Sequence, residues 1–102
     1  MKLVDLMHEA AEIGGYNGEL LIREILRSNP SALPRHDPMH IINRRNLKGQ
    51  TPLYTSIVHG NYLIVKLLIE EGCDPTLKSS LDGRRFESNL QVAALFGHYE
   101  IL

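Results

Sequence analysis

The chain has 102 residues, of which 43% are hydrophobic and 23% charged, so it suits one globular domain and leaves little room for a second. Tryptophan is absent and only 6% of the residues are aromatic, so any core must be built from aliphatic side chains. The formal net charge of -1 excludes the strong overall field that draws a protein to nucleic acid or to an anionic membrane.

Features that report on the compartment point to the cell interior. The single cysteine, Cys73, cannot form an internal disulfide or a zinc site by itself, which is typical of a reducing environment. The longest apolar stretch, 63–69, is broken by Lys66 and is far too short to span a bilayer. The first residues reach Asp5 early and lack the apolar block of a signal peptide. We therefore expect a cytoplasmic or nuclear protein without membrane insertion.

Residues 3–29 carry two helical patterns. Residues 7–14 combine small and apolar side chains with a closing glycine, and residues 22–26 form a second apolar block. Three surplus residues, 16–18, are expected to lie between the two helices.

The next segment, 30–45, holds three prolines, Pro30, Pro34 and Pro38. Proline removes a backbone donor and disrupts a helix interior, so this segment is predicted to be a long connecting loop and not a helix.

Residues 46–75 form the clearest unit. Thr51 followed by Pro52 predicts a helix start, because the threonine hydroxyl can accept a bond from an unpaired amide and proline suits the first helical position. Leu53, Ser56 and Ile57 then share one helical face. A glycine at position 60 is predicted to end this short helix by adopting a left-handed conformation.

A second helix is predicted after that glycine, with a broad apolar surface made by Ile64, Val65, Leu67, Leu68 and Ile69. Gly72 stops it, and Asp74-Pro75 turns the chain away. A helix that is apolar over so much of its circumference needs neighbours on more than one side. A stacked array of helix pairs provides them.

Residues 82–102 begin a third, less regular copy. Ser88 and Gln91 have the spacing of a capping box, and a glycine at position 97 is followed by the start of another helix. That helix stops at Ile101-Leu102 without the polar outer helix that usually closes an array. We therefore expect a truncated C-terminus, with association through the uncapped end as one consequence.

The unit 46–75 resembles the ankyrin repeat. The family's pattern is matched at the correct spacing by Asn46-x-x-Gly49-x-Thr51-Pro52-Leu53, Gly60, Val65-Lys66-Leu67-Leu68 and Gly72-Cys73-Asp74. The resemblance extends over nearly the whole chain except 30–45. It implies an all-α fold, an ankyrin-repeat solenoid of stacked helix-turn-helix pairs with hairpin loops. About two and a half repeats, at 3–29, 46–75 and 82–102, would make a single domain over 1–102.

No catalytic, cofactor or metal site is predicted. His36 and His40 have the spacing of two metal ligands on a helix, but Pro38 lies between them and makes a helix improbable. His8 occupies the position of the family's bridging histidine, which implies a structural role. Cys73 replaces a small alanine of the family and is interpreted as a buried hydrophobe. No phosphate-binding loop or nucleophile motif is present in the sequence.

Charge is unevenly distributed along the chain. The connections, taken as 28–50 and 76–87, hold seven basic and three acidic residues, a net charge of +4, whereas the remainder carries -5. The implied fold projects these connections along one edge, so a positive stripe is predicted there. A solvated surface without any partner is the alternative interpretation. The basic loops lack the interleaved aromatic residues of a nucleic-acid binder.

The family resemblance implies a non-catalytic module that recognises another protein, with an acidic surface, through its hairpin tips and concave face. An alternative is a regulatory or targeting module of a larger enzyme or channel that continues beyond Leu102. The basic residues expected to attract the partner are Arg44, Arg45, Arg84 and Arg85. The resemblance implies variable contact positions at Glu12, Ile13, Leu47, Lys48, Gln50, Val58, His59, Leu95 and Phe96. Of these, Leu47, Gln50 and Phe96 are expected to make shorter-range contacts.

Overall fold

The computed structural model describes residues 2–79, which form two helix pairs stacked side by side. The four helices are α1 (Leu3–Ile13), α2 (Gly15–Ser28), α3 (Pro52–Val58) and α4 (Tyr62–Glu70). Within each pair the two helices pack against each other. The two pairs pack together through contacts of α1 with α3 and of α2 with α4. The result is an inner layer of α1 and α3 and an outer layer of α2 and α4. The all-α architecture predicted from the sequence is confirmed.

The second pair follows its sequence signals closely. The Thr51 hydroxyl accepts a hydrogen bond from the Tyr54 amide at 3.2 Å, and Pro52 occupies the first turn of α3. The predicted core side chains of this pair, Leu53, Leu67 and Leu68, are buried as expected. Ile69 is a correction, because it is 52% exposed, so the apolar surface of α4 is narrower than its composition indicates.

The first pair corrects the expected position of the surplus residues. Gly14 and Gly15 have φ values of +66° and +59°, and Gly14 alone separates α1 from α2. Residues 16–18 therefore lie inside α2 and not between the helices. The surplus is absorbed by helix length, since α2 has 14 residues and α4 has 9. Gly18 also lets α2 approach α1, because a Cβ there would lie 2.6 Å from the Ala10 carbonyl oxygen.

The segment 30–45 lies between α2 and α3 as a series of turns. It is more than a connection, because Ile41 and Ile42 are buried in the core with the helices. His40 is also buried, and its Nδ1 atom accepts a hydrogen bond from the Ile42 amide at 3.1 Å.

Asn43 fixes this segment to the end of α4. Its amide nitrogen donates to the Arg35 carbonyl at 2.6 Å and to the Asp37 carbonyl at 2.9 Å, while its oxygen accepts from the Asp74 amide at 2.9 Å. Arg35 adds a bond to the last turn of α4, where its guanidinium donates to the Glu71 carbonyl at 2.8 Å. Both ends of the loop segment are thus attached to the second helix pair.

Candidate protein-binding surface

The connection before α3 is a tight turn held by its own hydrogen bonds, and we call residues 44–50 the 44–50 turn. The Asn46 side-chain oxygen accepts from the amides of Lys48 and Gln50, each at 3.0 Å. The Asn46 amide donates to the Gln50 carbonyl at 2.9 Å, and the Gly49 amide donates to the Asn46 carbonyl at 3.0 Å. Asparagine often stabilises turns through such local bonds. The tip therefore presents Leu47, which is fully exposed at 105%, from a fixed backbone.

His8 ties the 44–50 turn to α1 and α3. Its Nε2 atom lies 3.0 Å from the Arg44 carbonyl, and its Nδ1 atom lies 3.0 Å from the Thr55 hydroxyl. A carbonyl can only accept, so Nε2 donates to it, and in the neutral ring Nδ1 then accepts from the hydroxyl. Burial lowers the pKa of His8, although the Arg44 carbonyl and the charges of Glu12 and Asp5 act in the opposite direction. The neutral imidazole is the form that this site holds, which agrees with the structural role expected for His8.

The other side of the 44–50 turn is attached to the next connection. The Arg45 guanidinium donates to the Lys78 carbonyl through Nη2 at 2.9 Å and through Nε at 3.2 Å. The Thr51 amide donates to the Ser79 hydroxyl at 2.9 Å. These bonds fix the turn relative to the residues that follow the second helix pair.

Nine of the predicted contact residues lie within residues 2–79. Seven of them are exposed and available for contact: Glu12, Ile13, Arg44, Arg45, Leu47, Lys48 and His59. Gln50 and Val58 are partly buried. The other four, Arg84, Arg85, Leu95 and Phe96, lie outside the described residues.

The surface that α3 contributes is smaller than expected. We expected the exposed side of each first helix to take part, but every residue of α3 from Pro52 to Ile57 is buried. The helix has only seven residues and packs against both α1 and α4. Only Val58 and His59, at the C-terminal end, reach the surface. The available inner surface therefore consists mainly of α1 and the 44–50 turn, which we call the inner face.

A notch of about 160 Å³ lies where the 44–50 turn meets the start of α1. It is lined by Lys2, Val4, Asp5, Arg45, Asn46 and Leu47. Lys2, Val4 and Asp5 were not identified from the sequence. The two walls of the notch are at least 40 positions apart along the chain, so no local pattern could reveal it.

Charges of both signs lie on the inner face, with the bases on the turn and the acids on the helix. The 44–50 turn carries Arg44, Arg45 and Lys48 and no acid. The exposed residues of α1 include three acids, Asp5, Glu9 and Glu12, at spacings of four and three that place them on one helical side. The acidic character of α1 was visible in the sequence, because the helix has no lysine or arginine.

A second cavity, of about 350 Å³, lies on the opposite side of the helix pairs. It is lined by Arg23, Leu26, Arg27, Arg35 and Glu71. Glu71 forms ion pairs with Arg23 at 3.3 Å and with Arg35 at 3.1 Å, so the positive charges there already have a carboxylate partner.

The described residues offer little for chemistry or for membrane crossing. Burial raises the pKa of the Cys73 thiol to about 12, which makes it a poor nucleophile. Within residues 2–79, no three His, Cys, Asp or Glu side chains are grouped so that they could hold a metal ion. None of the four helices combines the length and apolar character needed to cross a bilayer.

Comparison with known families gives a match over most of the chain. The family model for ankyrin repeats, in three copies, matches residues 7–102. Similar proteins include the Notch-regulated ankyrin repeat-containing protein B of Danio rerio, which is 39% identical over 61 residues, or 60% of this chain and 51% of that protein. The Homo sapiens Notch-regulated ankyrin repeat-containing protein is also 39% identical over 61 residues, covering 60% of this chain and 50% of its own. The matched segment thus spans about half the length of these curated relatives.

A solved structure shares the fold. It is a chain from the complex of a predatory endopeptidase from Bdellovibrio bacteriovorus with an immunity protein. The TM-score is 0.67 at 24% identity, and the match covers 94% of this chain and 42% of the other. At this identity the likeness supports the arrangement of the helices and nothing about the partner.

Proposed function

Because the chain belongs to the ankyrin-repeat family, whose modules generally bind other proteins, we propose that it is a non-catalytic module that recognises a protein partner through its inner face. The observation that carries this proposal is the fully exposed Leu47 on a backbone held by Asn46 and anchored through His8. An aliphatic side chain on a rigid support loses little conformational freedom on binding, which favours affinity. The inner face is the preferred site because α3 leaves little other inner surface within residues 2–79.

We infer that the partner presents an acidic surface to the 44–50 turn and that it is a protein, not a nucleic acid. Arg44, Arg45 and Lys48 would attract acidic groups at the turn. A phosphate backbone that extended past the turn would meet the acidic residues of α1 and be repelled. The buried thiol of Cys73 favours a reducing compartment, so we place the protein in the cytoplasm or nucleus.

The test is retention of a partner by immobilised protein, followed by binding kinetics with that partner once purified. Leu47→Ala should speed dissociation about tenfold, the size expected for a central hot-spot residue. Leu20→Ala is the matched control, because Leu20 is also an exposed leucine, at 48%, but lies on α2. Equal retention by both variants would show that the inner face is not the binding site.

The charge of the 44–50 turn should affect the association rate and not the dissociation rate. Lys48→Glu should slow association, most strongly at low salt, while leaving dissociation nearly unchanged, because rim charges mainly steer the encounter. Arg84→Glu with Arg85→Glu tests the remaining part of the proposed basic stripe in the same way. Association that is insensitive to charge reversal at low salt would contradict an acidic partner.

A further inference from the structure

The inner face contains a protruding side chain and a recess next to each other. Leu47 projects into solvent from the tip of the 44–50 turn, and it also forms one wall of the notch of about 160 Å³. The opposite wall includes Val4, which supplies an apolar surface at the start of α1. A leucine side chain is small enough to occupy this volume. One surface thus offers both an aliphatic projection and a site that could receive one.

The charges on the inner face are also complementary to each other. Lys48 forms no ion pair among the described residues, and the same is true of Asp5, Glu9 and Glu12 on α1. Of the four ion pairs found within residues 2–79, two lie within α2, and the other two join α2 or the 30–45 segment to Glu71 at the end of α4. Unpaired charges of both signs therefore lie on the surface that also carries the projection and the recess.

We propose that the inner face pairs with a second copy of this chain across a two-fold axis, each Leu47 entering the partner copy's notch. A two-fold interface uses the same patch on both copies, so it requires a patch that is complementary to itself. The inner face meets that requirement in shape and in charge. The inference rests on the proposed function to the extent that it uses the same binding surface.

The position of the notch suits this arrangement. The acidic residues of α1 extend from Asp5 at the notch to Glu12, about 10 Å further along the helix at 1.5 Å per residue. With the axis near the notch, the Lys48 of each copy would lie over the acidic side of the other copy's α1. The shared surface is limited to one helix and one turn, so the pairing should be weak, with a dissociation constant between roughly ten micromolar and one millimolar.

Sedimentation velocity over a concentration series of the 102-residue chain tests the pairing. We expect a monomer–dimer equilibrium that weakens as salt is raised, because the charges involved are exposed. Leu47→Ala should raise the dimer dissociation constant at least about tenfold, since the leucine is lost from both halves of the interface. Leu20→Ala, on the outer side, should leave the equilibrium unchanged, and circular dichroism should show that both variants remain folded.

A charge exchange gives a sharper test. Lys48→Glu alone would place two pairs of acids opposite each other, and Glu9→Lys alone would place two pairs of bases opposite each other, so each variant should be monomeric. In a mixture of the two variants both contacts would join opposite charges. The mixture should therefore form a mixed dimer about as strong as the wild-type pair.

Three results would overturn the proposal. One is a wild-type chain that stays monomeric up to about one millimolar at low salt. Another is a dimer insensitive to Leu47→Ala, and the third is a mixture of charge variants that fails to pair. A monomeric chain that still retains a partner through Leu47 would overturn only the self-pairing. A chain that neither pairs nor shows Leu47-dependent retention of a partner would overturn the proposed function as well.

Discussion

The two exposed sides of this molecule use their charged residues differently. On the outer side, Arg23 and Arg35 both reach Glu71, so ion pairs join α2 and the 30–45 segment to the end of α4. On the inner face, Lys48 and the acids of α1 form no such pairs among the described residues. Charges on the outer side are therefore used to connect parts of the chain.

The largest loss of stability should come from a substitution in the core between the two sides. Leu68 is completely buried in α4, so Leu68→Ala should lower the free energy of unfolding by roughly 2–5 kcal/mol through lost burial and a residual cavity. Urea denaturation followed by circular dichroism measures this loss. Leu47→Ala is the control and should change stability by no more than about 0.5 kcal/mol, as is usual for surface positions. A Leu68→Ala loss as small as that of the control would show that α4 does not face a packed core.

The link between α1 and the 44–50 turn should make stability depend on pH. The pKa of buried His8 is lowered from 6.5, and the pKa of His40 is lowered as well, first by burial and then by the charge of Arg35. The unfolded chain therefore binds protons at a higher pH than the folded chain does. The stability from the neutral histidines is fully present above about pH 6.5 and is lost as pH falls from there towards the lower folded-state values.

Denaturant titrations at pH 7.5 and pH 5.5 should accordingly show a less stable protein at the lower pH. His8→Gln should reduce this difference, and the part that remains should belong to His40. The carboxylates with lowered pKa, Glu24 and Asp74, have ordinary pKa values of 4.5 and 3.8, so they contribute little in this window. Equal stability at the two pH values would contradict a buried neutral His8.

The smallest stability differences should come from charge removal. Removing a charge that is paired on the outer side should lower stability, whereas removing an inner-face charge should not. Glu71→Gln removes the carboxylate shared by Arg23 and Arg35 and should cost about 0.5–1 kcal/mol, with a smaller cost at high salt. Lys48→Gln should leave the free energy of unfolding unchanged at any salt concentration. Thermal and urea unfolding at two ionic strengths compare the variants. A salt-dependent loss in Lys48→Gln would show that the inner-face charges also have partners within the chain.

The part of the fold that could be predicted from the sequence is the part governed by local signals. Thr51 and Pro52 start α3, and Gly60 with its positive φ follows the end of that helix. Both features were predictable because each signal acts within a few residues. The start of α2 was predicted wrongly because Gly14 alone separates α1 from α2. Sequence spacing alone could not distinguish a longer loop from a longer helix.

Features that depend on contacts between distant residues could not be predicted from the sequence. The burial of Ile42 in a proline-containing loop depends on the attachment of Asn43 to Asp74, which lies 31 residues away. The exposure of Leu47 followed from its turn position, but the notch beside it depends on where α1 is placed. The acids of α1 were visible in the sequence, but the position of Asp5 beside the 44–50 turn depends on how α1 packs.

The turn between the first two helices also restricts how this sequence can change over evolutionary time. A Cβ atom at position 14 would lie 2.4 Å from the Cγ atom of Asn61, whose side-chain nitrogen donates to the carbonyls of Ala11 at 2.5 Å and Glu12 at 3.0 Å. A side chain at position 14 would therefore displace the residue that joins the first pair to the second. Descendants of this chain should keep both residues or change them together. Positions 14 and 61, which are 47 apart, should therefore co-vary.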